Sequence, residues 1–563
     1  MEQNIMNSNN GTIMDTSKLD KSLFEELPDH SGLHDQAFET KPVSYLRDCF
    51  NRFSKNKASI VAGIIILLIA LFAIIIPMAS PKAHVSSKDY PNGYQDVNFK
   101  YVLPYNAMFK GSGFWDGTEI RPYSEADYLI KKNDDSNHSP FVKLESTTVT
   151  QIGAVKSTTY NVRVDTYAVG CKIVKISPEE YERIVNYDNE QASKNDSYKR
   201  ILHPLIDSES YIERYKLQLA DDGANENTIN NIIDQVQMYY NQNPNCYYEV
   251  IARRIGKEKP YTWNQNNIIP VTNGTGDDRT FNPIYLKDAS GNYVYAKFAN
   301  GQYTVRVDYF DYFTFENGFE PYYFFGANEL GQDIFLRLAE GTRFSLLLGV
   351  IISAINFIIG LIWGAISGYY GGTVDLVMER ITDIIANIPS IIILTICSIQ
   401  FTNNLELRAS LGEAGIIILS FLIAFVYSGW TGVASTTRMQ FYRFKGQEYV
   451  LASRTLGAKD RRLIFRHILP NAIGTLVTSS VLMIPSVIFS ESSLSYLGII
   501  NFSTSGLCSI GTLLSEGQAA GLKTYPHVLL FPCIIISLLM ISFNLFGNGL
   551  RDAFNTSLKG ADE

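Results

Sequence analysis

The residues of this chain whose types could do chemistry are ionisable groups set beside apolar runs. Asp375, Glu379 and Asp383 recur every four residues, so a helix would carry all three carboxylates on one face at the entrance to an apolar stretch. Glu491 lies at the end of another such stretch, and Glu516 follows Ile510, Leu513 and Leu514 in a connection that holds several glycines. Ionisable groups next to hydrocarbon are costly to desolvate, so they face water or a protein partner. The acidic trio therefore reads either as the polar mouth of a path through a membrane or as an interfacial anchor. Residues 506–521 read either as a re-entrant outer gate, where glycine permits close backbone approach, or as an ordinary loop with an amphipathic turn.

A second set is basic. Arg438, Arg443, Lys445, Arg454, Lys459, Arg461, Arg462 and Arg466 crowd a hydrophilic stretch between two apolar runs. Within it Glu448, Ala452 and Thr455 or Leu456 fall at helical spacing, and Gly457 stands where a left-handed cap is wanted. Asp460 then opens a second helix that Pro470 is expected to close. Charges on such a hairpin orient docking, while its apolar positions supply contact area. The chain carries no Gly-x-x-x-x-Gly-Lys-Ser/Thr phosphate cradle, no metal-ligand spacing, no nucleophile elbow and no intramembrane catalytic pair. The expectation is a protein that is not an enzyme, and nothing in the formal net charge of −8 suggests nucleic acid as a partner.

The elements that must position these residues are membrane spans. Apolar runs occur at 60–78, 344–367, 384–401, 414–435, 472–489 and 528–546, about six helices of the ~20 residues that cross a ~30 Å hydrocarbon core. Six spans return both ends to one side. Arg47, Arg52, Lys55 and Lys57 precede the first run, which places the N-terminus in the cytoplasm; the basic stretch 438–471 falls on the same side by alternation. Residues 1–58 form a polar cytoplasmic tail without a cleaved-leader pattern, 59–78 an uncleaved signal-anchor, and 548–563 a second cytoplasmic tail.

Between the first two spans lies a polar, Tyr- and Asn-rich excursion, 79–325, long enough to bury its own core. Strands are expected at 146–152, 158–166 and 167–176, and helices at 210–220 and 225–240. Ser177-Pro178-Glu179-Glu180 supplies an N-cap, a proline at the first helical position and an acid for a capping box. Asn300-Gly301 marks a type I′ hairpin between 293–298 and 303–307. This is a folded α+β insert. Trp115, Trp263 and the aromatic run at Tyr309-Phe310-Asp311-Tyr312-Phe313 either pack its core or meet a peptide or a docked receptor, with core packing the default. Of six cysteines, Cys397 and Cys533 read as small core residues of spans and Cys49 as cytoplasmic. Cys171 and Cys246 share the insert and are candidates for a disulfide, which needs Cα atoms ~4.4–6.8 Å apart.

One string carries a resemblance. Glu448-Tyr449-Val450-Leu451-Ala452-Ser453-Arg454-Thr455-Leu456-Gly457, followed by Arg466-His467-Ile468-Leu469-Pro470-Asn471, resembles the ATPase-coupling loop of peptide-type ABC importer permeases, with Ser453 where the family has Ala. Phe325 to Leu338, with Gln332 for the usual Arg, Gly368 to Asp375, Ser490 to Gly498 and Phe543 to Asp552 resemble other family segments. The resemblance implies a type I ABC importer permease core at 326–547, of the oligopeptide or dipeptide permease C type, in the cell membrane. It implies as partners a B-type permease, two ABC ATPases that hold ATP and Mg²⁺, and an extracytoplasmic peptide-binding protein; this chain would bind no cofactor. Nickel, opine or glutathione import shares the string. A membrane-anchored receptor or adhesin with a vestigial core is the competing class, motivated by the insert. For Asp333 and Arg337, at i and i+4, the spacing suggests a pair on an interfacial helix.

Overall fold

A computed structural model gives the architecture for residues 45–79, 99–124, 140–152, 155–168, 171–195, 200–205, 207–221, 223–242, 285–318, 320–500 and 507–554, with 128, 132, 198 and 502. It opens on a short basic helix α1 (Tyr45–Lys55) and the apolar α2 (Lys57–Ala79). Phe53 of α1 meets Phe546, far along the chain, edge to face at 5.3 Å.

The insert follows as two small antiparallel sheets. Strands β1 (Thr118–Ser124), β2 (Phe141–Ile152) and β3 (Val155–Asp165) form the first, in the order β1-β3-β2. In the second, β4 (Cys171–Ile176) and β5 (Leu202–His203) flank β7 (Gln302–Asp308), to which β6 (Ala296–Ala299) also pairs. The β6–β7 turn has Asn300 at φ 53 and Gly301 at φ 78, the two positive values that a type I′ turn requires. Helix α3 (Pro178–Lys194) starts on Ser177, whose side chain accepts the Glu180 N–H, while the Glu180 carboxylate accepts the Tyr312 hydroxyl at 2.7 Å. Helices α4 (Ser208–Asp221) and α5 (Glu226–Gln242) lie within two residues of their expected ends. Ile176, Ile184, Ile201, Val305 and Val307 make one buried cluster. Helix α6 (Tyr309–Asn317) sends Tyr312 to that cluster and Tyr309 and Phe313 to a second, built with Phe99, Tyr167 and Tyr323. The aromatic run is core.

The remaining helices form the core of the protein. Helix α7 (Ile334–Tyr370) begins on Asp333, which accepts the Phe335 N–H as N-cap. Its 37 residues extend about 55 Å at 1.5 Å per residue, so its two ends are far apart. Next come α8 (Gly372–Ala386), α9 (Ser390–Asn403) and α10 (Leu405–Lys445), the last kinked at Gly412. After the hairpin described below, α13 (Leu469–Tyr496), α14 (Ile510–Ala520) and α15 (Pro526–Phe554) complete the chain. Among the described residues five helices are long and apolar enough to cross a membrane, or six with α8 and α9 taken as one broken span.

That broken span corrects the expected straight helix at 384–401. The chain bends by 67° between α8 and α9. Pro389 disfavours the helical conformation at Ile388, and Asn387 ends α8 by donating both its backbone and side-chain N–H to the Asp383 carbonyl. Helix packing has an equally local cause. Gly360, Gly364 and Gly368 form a ridge on α7 at spacing four, and a Cβ at each would fall 2.6, 2.2 and 2.7 Å from atoms of α10. Bare backbone lets the two helices approach as small residues do between membrane helices.

Candidate functional site

The basic stretch folds as a hairpin at the Tyr370 end of α7. Its first arm is α11 (Glu448–Thr455). Gly457, at φ 83, ends it in a Schellman arrangement: the Gly457 N–H bonds the Arg454 carbonyl at 2.9 Å and the Ala458 N–H the Ser453 carbonyl at 3.1 Å. Asp460 opens the second arm, α12 (Asp460–Arg462). Pro470 does not close it. The chain passes through a π-helical turn, Leu463–Ile468, straight into α13, where Pro470 occupies the first positions. The Leu469 N–H reaches back to Ile464, five residues away, and this wide turn accommodates a proline that lacks its own N–H. The second arm and the span it feeds are thus one continuous rod.

The hairpin has two faces. Val450, Leu463 and Ile468 are buried against Tyr369 of α7 and Phe441 of α10. The Tyr369 hydroxyl donates to Asp460 at 2.5 Å and accepts from Arg454 at 3.3 Å, tying both arms to α7. Asn471 donates to the Tyr449 hydroxyl at 3.1 Å and to the His467 carbonyl at 2.7 Å, closing the base. On the outer face Tyr449, Leu451, Leu456 and Phe465 are exposed, Leu456 at 88% and Phe465 at 63%. Glu448, Ala452, Arg454, Arg461, Arg462 and Arg466 are exposed beside them, while Ser453, His467 and Leu469 are half-buried.

The acidic trio divides. Asp375 is buried and takes both Nε (2.6 Å) and Nη2 (2.7 Å) of Arg438, the Tyr442 hydroxyl (2.7 Å) and the Ser367 hydroxyl. A bidentate carboxylate–guanidinium pair is among the stronger polar contacts. It clamps α7, α8 and α10 directly behind the hairpin, and Lys445 adds a bond to the Gly368 carbonyl at 2.9 Å. Glu379 stands 3.6 Å from Arg438, and Asp383 pairs with Arg380 in the open.

At the other end of α7, Arg337 does not pair with Asp333, which is occupied as an N-cap. It pairs with Glu516 of α14 at 2.7 Å, and Glu516 also accepts from Asn328 at 3.0 Å. Glu491 is fully enclosed and accepts from Ser345 (2.9 Å), Ser492 (3.4 Å) and Ser495 (3.1 Å). Ser345 also accepts the Ile510 N–H, so one carboxylate and its serines join α7, α13 and the start of α14. Ile510, Leu513 and Leu514 are buried as the amphipathic pattern required. A cleft of about 280 Å³ between Asn328, Ser495, Thr512 and Glu516 opens here, and a larger one of about 530 Å³ lies between α9 and α10, lined by Ser398, Arg408, Glu413 and Ser420.

The insert is joined to this same end. Tyr101 stacks on Tyr525 at 4.0 Å and Phe325 on Phe531 at 3.8 Å. The Trp115 indole N–H bonds the Phe324 carbonyl at 2.6 Å, and its ring packs on Phe531 at 5.7 Å. The pairing of Cys171 with Cys246, like Trp263, lies outside the described residues. Cys49, Cys397, Cys508 and Cys533 are free, and burial pushes the Cys508 thiol up to about 12 despite the Arg337 charge beside it.

The glycine ridge and the Arg337–Glu516 pair escaped the sequence reading. The first left a signal, glycine at every fourth position from 360; the second joins residues 179 apart and left none.

Comparison with known proteins bears on the same segments. The family model "Binding-protein-dependent transport system inner membrane component" matches residues 360–560, and "N-terminal TM domain of oligopeptide transport permease C" matches 44–100. The oligopeptide transport system permease protein OppC of Bacillus subtilis (strain 168) is 40% identical over 237 residues, 42% of this chain and 72% of that one. The dipeptide transport system permease protein DppC of the same strain is 36% identical over 237 residues, 42% of this chain and 69% of that one. The glutathione transport system permease protein GsiD of Pectobacterium atrosepticum is 31% identical over 261 residues, 46% of this chain and 81% of that one.

Proposed function

The chain belongs to the binding-protein-dependent transport inner-membrane family, in its oligopeptide and dipeptide permease C branch, and from that premise we propose that it forms half of the translocation path of an ATP-driven oligopeptide importer. Its partners are a B-type permease, two ABC ATPase subunits and an extracytoplasmic peptide-binding protein. ATP and Mg²⁺ sit on the ATPases. Both termini and the hairpin face the cytoplasm, as the basic residues flanking α2 and in the hairpin favour, and the insert stands outside.

The observation that carries this reading is the two-faced hairpin. Its outer face leaves Leu456 and Phe465 exposed among arginines, a surface suited to a groove on another protein. Its inner face is locked to α7 through Tyr369 and continues without a joint into α13. Closure of an ATPase dimer onto the outer face would therefore move α7, α10 and α13 together, with the Asp375–Arg438 clamp holding α8 in the same unit. ATP binding drives transport only by favouring one transporter state over the other. A receptor with a vestigial core would have no use for an exposed apolar tip on an otherwise packed hairpin.

The test is reconstitution with the partner subunits in proteoliposomes carrying Leu456→Asp and Phe465→Asp together. The expected result is loss of peptide uptake and of peptide-stimulated ATP hydrolysis, with the chain still folded. Normal uptake and stimulation would sink the assignment. Glutathione import is the second reading, favoured by the likeness to GsiD across most of that protein. It prevails if glutathione is taken up and oligopeptides do not compete with it.

A further inference from the structure

The insert contains a cleft that the transport reading leaves unused. It encloses about 440 Å³ between the loop before β1 and strands β2 and β3, within the ~300–1,000 Å³ usual for small-ligand sites. Three cations, Lys110, Lys143 and Arg163, line it together with three carboxylates, Asp116, Glu145 and Asp165. Tyr105 and Tyr322, stacked at 4.0 Å, add an aromatic wall.

The loop is held in shape by buried Asp116, which accepts the Gly113 N–H at 2.8 Å and the Thr118 N–H and hydroxyl at 3.1 and 2.7 Å. Gly113 sits at φ 79, where glycine is favoured, and a Cβ there would stand 2.8 Å from Arg163 Nη1 and push that guanidinium aside. Arg163 gives Nε to Glu145 at 2.8 Å and Nη1 to Thr118 at 3.1 Å. Among the described residues neither its Nη2 nor Lys110 Nζ makes a hydrogen bond. Among the described residues the second oxygen of Glu145 has only Lys143 at 3.4 Å, a lysine 68% exposed and readily displaced. An anion or a cation alone would meet three like charges here; a molecule carrying both signs meets a partner for each.

We propose that this cleft binds a small zwitterion, a short unblocked peptide or free amino acid. Its carboxylate lies on Arg163 Nη2 and Lys110, and its ammonium replaces Lys143 on Glu145. The site is separate from the path through the spans, and its occupancy can be read on the isolated chain whether or not the importer reading holds. The same loop carries Trp115, which bonds Phe324 and packs on Phe531 of α15, so a bound ligand acts on the joint between insert and spans.

Calorimetric titration of the full chain in detergent with alanine, trialanine, N-acetyl-trialanine and trialanine amide tests this. Trialanine is expected to bind, with each blocked form and the exposed-site variant Lys110→Glu weaker by about 10-fold, the scale of one charge-assisted contact. Arg163→Gln is expected to weaken binding at least as much. Absence of binding of both alanine and trialanine to about 10 mM would overturn the proposal, as would equal binding of the blocked peptides or binding unchanged in both variants.

Discussion

The two ends of α7 use the same kinds of side chain to opposite purposes. At the Asp333 end, aromatic residues of the insert are consumed within the chain: Tyr101 on Tyr525, Trp115 and Phe325 on Phe531, with Arg337 and Glu516 paired beneath them. At the Tyr370 end, Leu456 and Phe465 are left in the open although Val450, Leu463 and Ile468 beside them are fully buried. One end is finished by its own sequence. The other is finished on the inside only, and its outer face has the composition of a surface that another protein completes. The contrast also explains how a long insert coexists with the permease core, because it lies against the end that does not hold the hairpin.

Breaking the finished end should cost the most stability. Arg337→Ala removes the buried guanidinium and leaves half-buried Glu516 without its charge partner, and losing a hydrogen bond between charged groups costs roughly 1.5–3 kcal/mol. A thermal melt in detergent should drop strongly, and Arg337→Met with Glu516→Leu should recover much of it; an unchanged single variant would contradict the pairing. Next comes the contact between α7 and α10. Gly364→Val drives a Cβ into the Ala434 carbonyl, and overpacking of this kind costs about 1–3 kcal/mol. Gly372→Ala, with nothing within 4 Å of the added carbon, controls for glycine loss, although its φ of 57 adds local strain. The smallest stability effect belongs to the open end. Leu456→Asp and Phe465→Asp should shift the melt by no more than about 0.5 kcal/mol, as exposed substitutions do, while removing the hairpin's outer contact. A large destabilisation there would mean that the two ends are not different in kind.

What the sequence disclosed follows the reach of each signal. The start of α11 at Glu448, the Gly457 cap, the Asn300-Gly301 turn and the Ser177 N-cap are decided by residues within five positions of one another and stand as read, whereas the expected capping box does not form because the Glu180 carboxylate turns to Tyr312. Pro470 does not stop the helix as expected, because a proline does so only when its missing N–H has no other accommodation, and the π turn at Leu463–Ile468 supplies one. The bend at Pro389 falls inside the apolar run 384–401, whose hydropathy alone does not distinguish a straight span from a broken one. The carboxylates were the least legible. Asp375, Glu491 and Glu516 stood out as ionisable groups beside hydrocarbon, yet their partners Arg438, Ser345 and Arg337 lie 63, 146 and 179 residues away. Periodicity can place a carboxylate on a face; only the fold says what that face meets.

The central claim is that the open face of the hairpin is where ATPase subunits dock. Its most direct measurement is affinity purification of the tagged chain with Leu456→Asp and Phe465→Asp, compared with the unaltered chain, reading by mass spectrometry the ATPase and B-type permease subunits that accompany each. The expected result is that both chains melt alike and keep the second permease, while only the unaltered chain keeps the ATPases. Equal recovery of ATPases on both would contradict it.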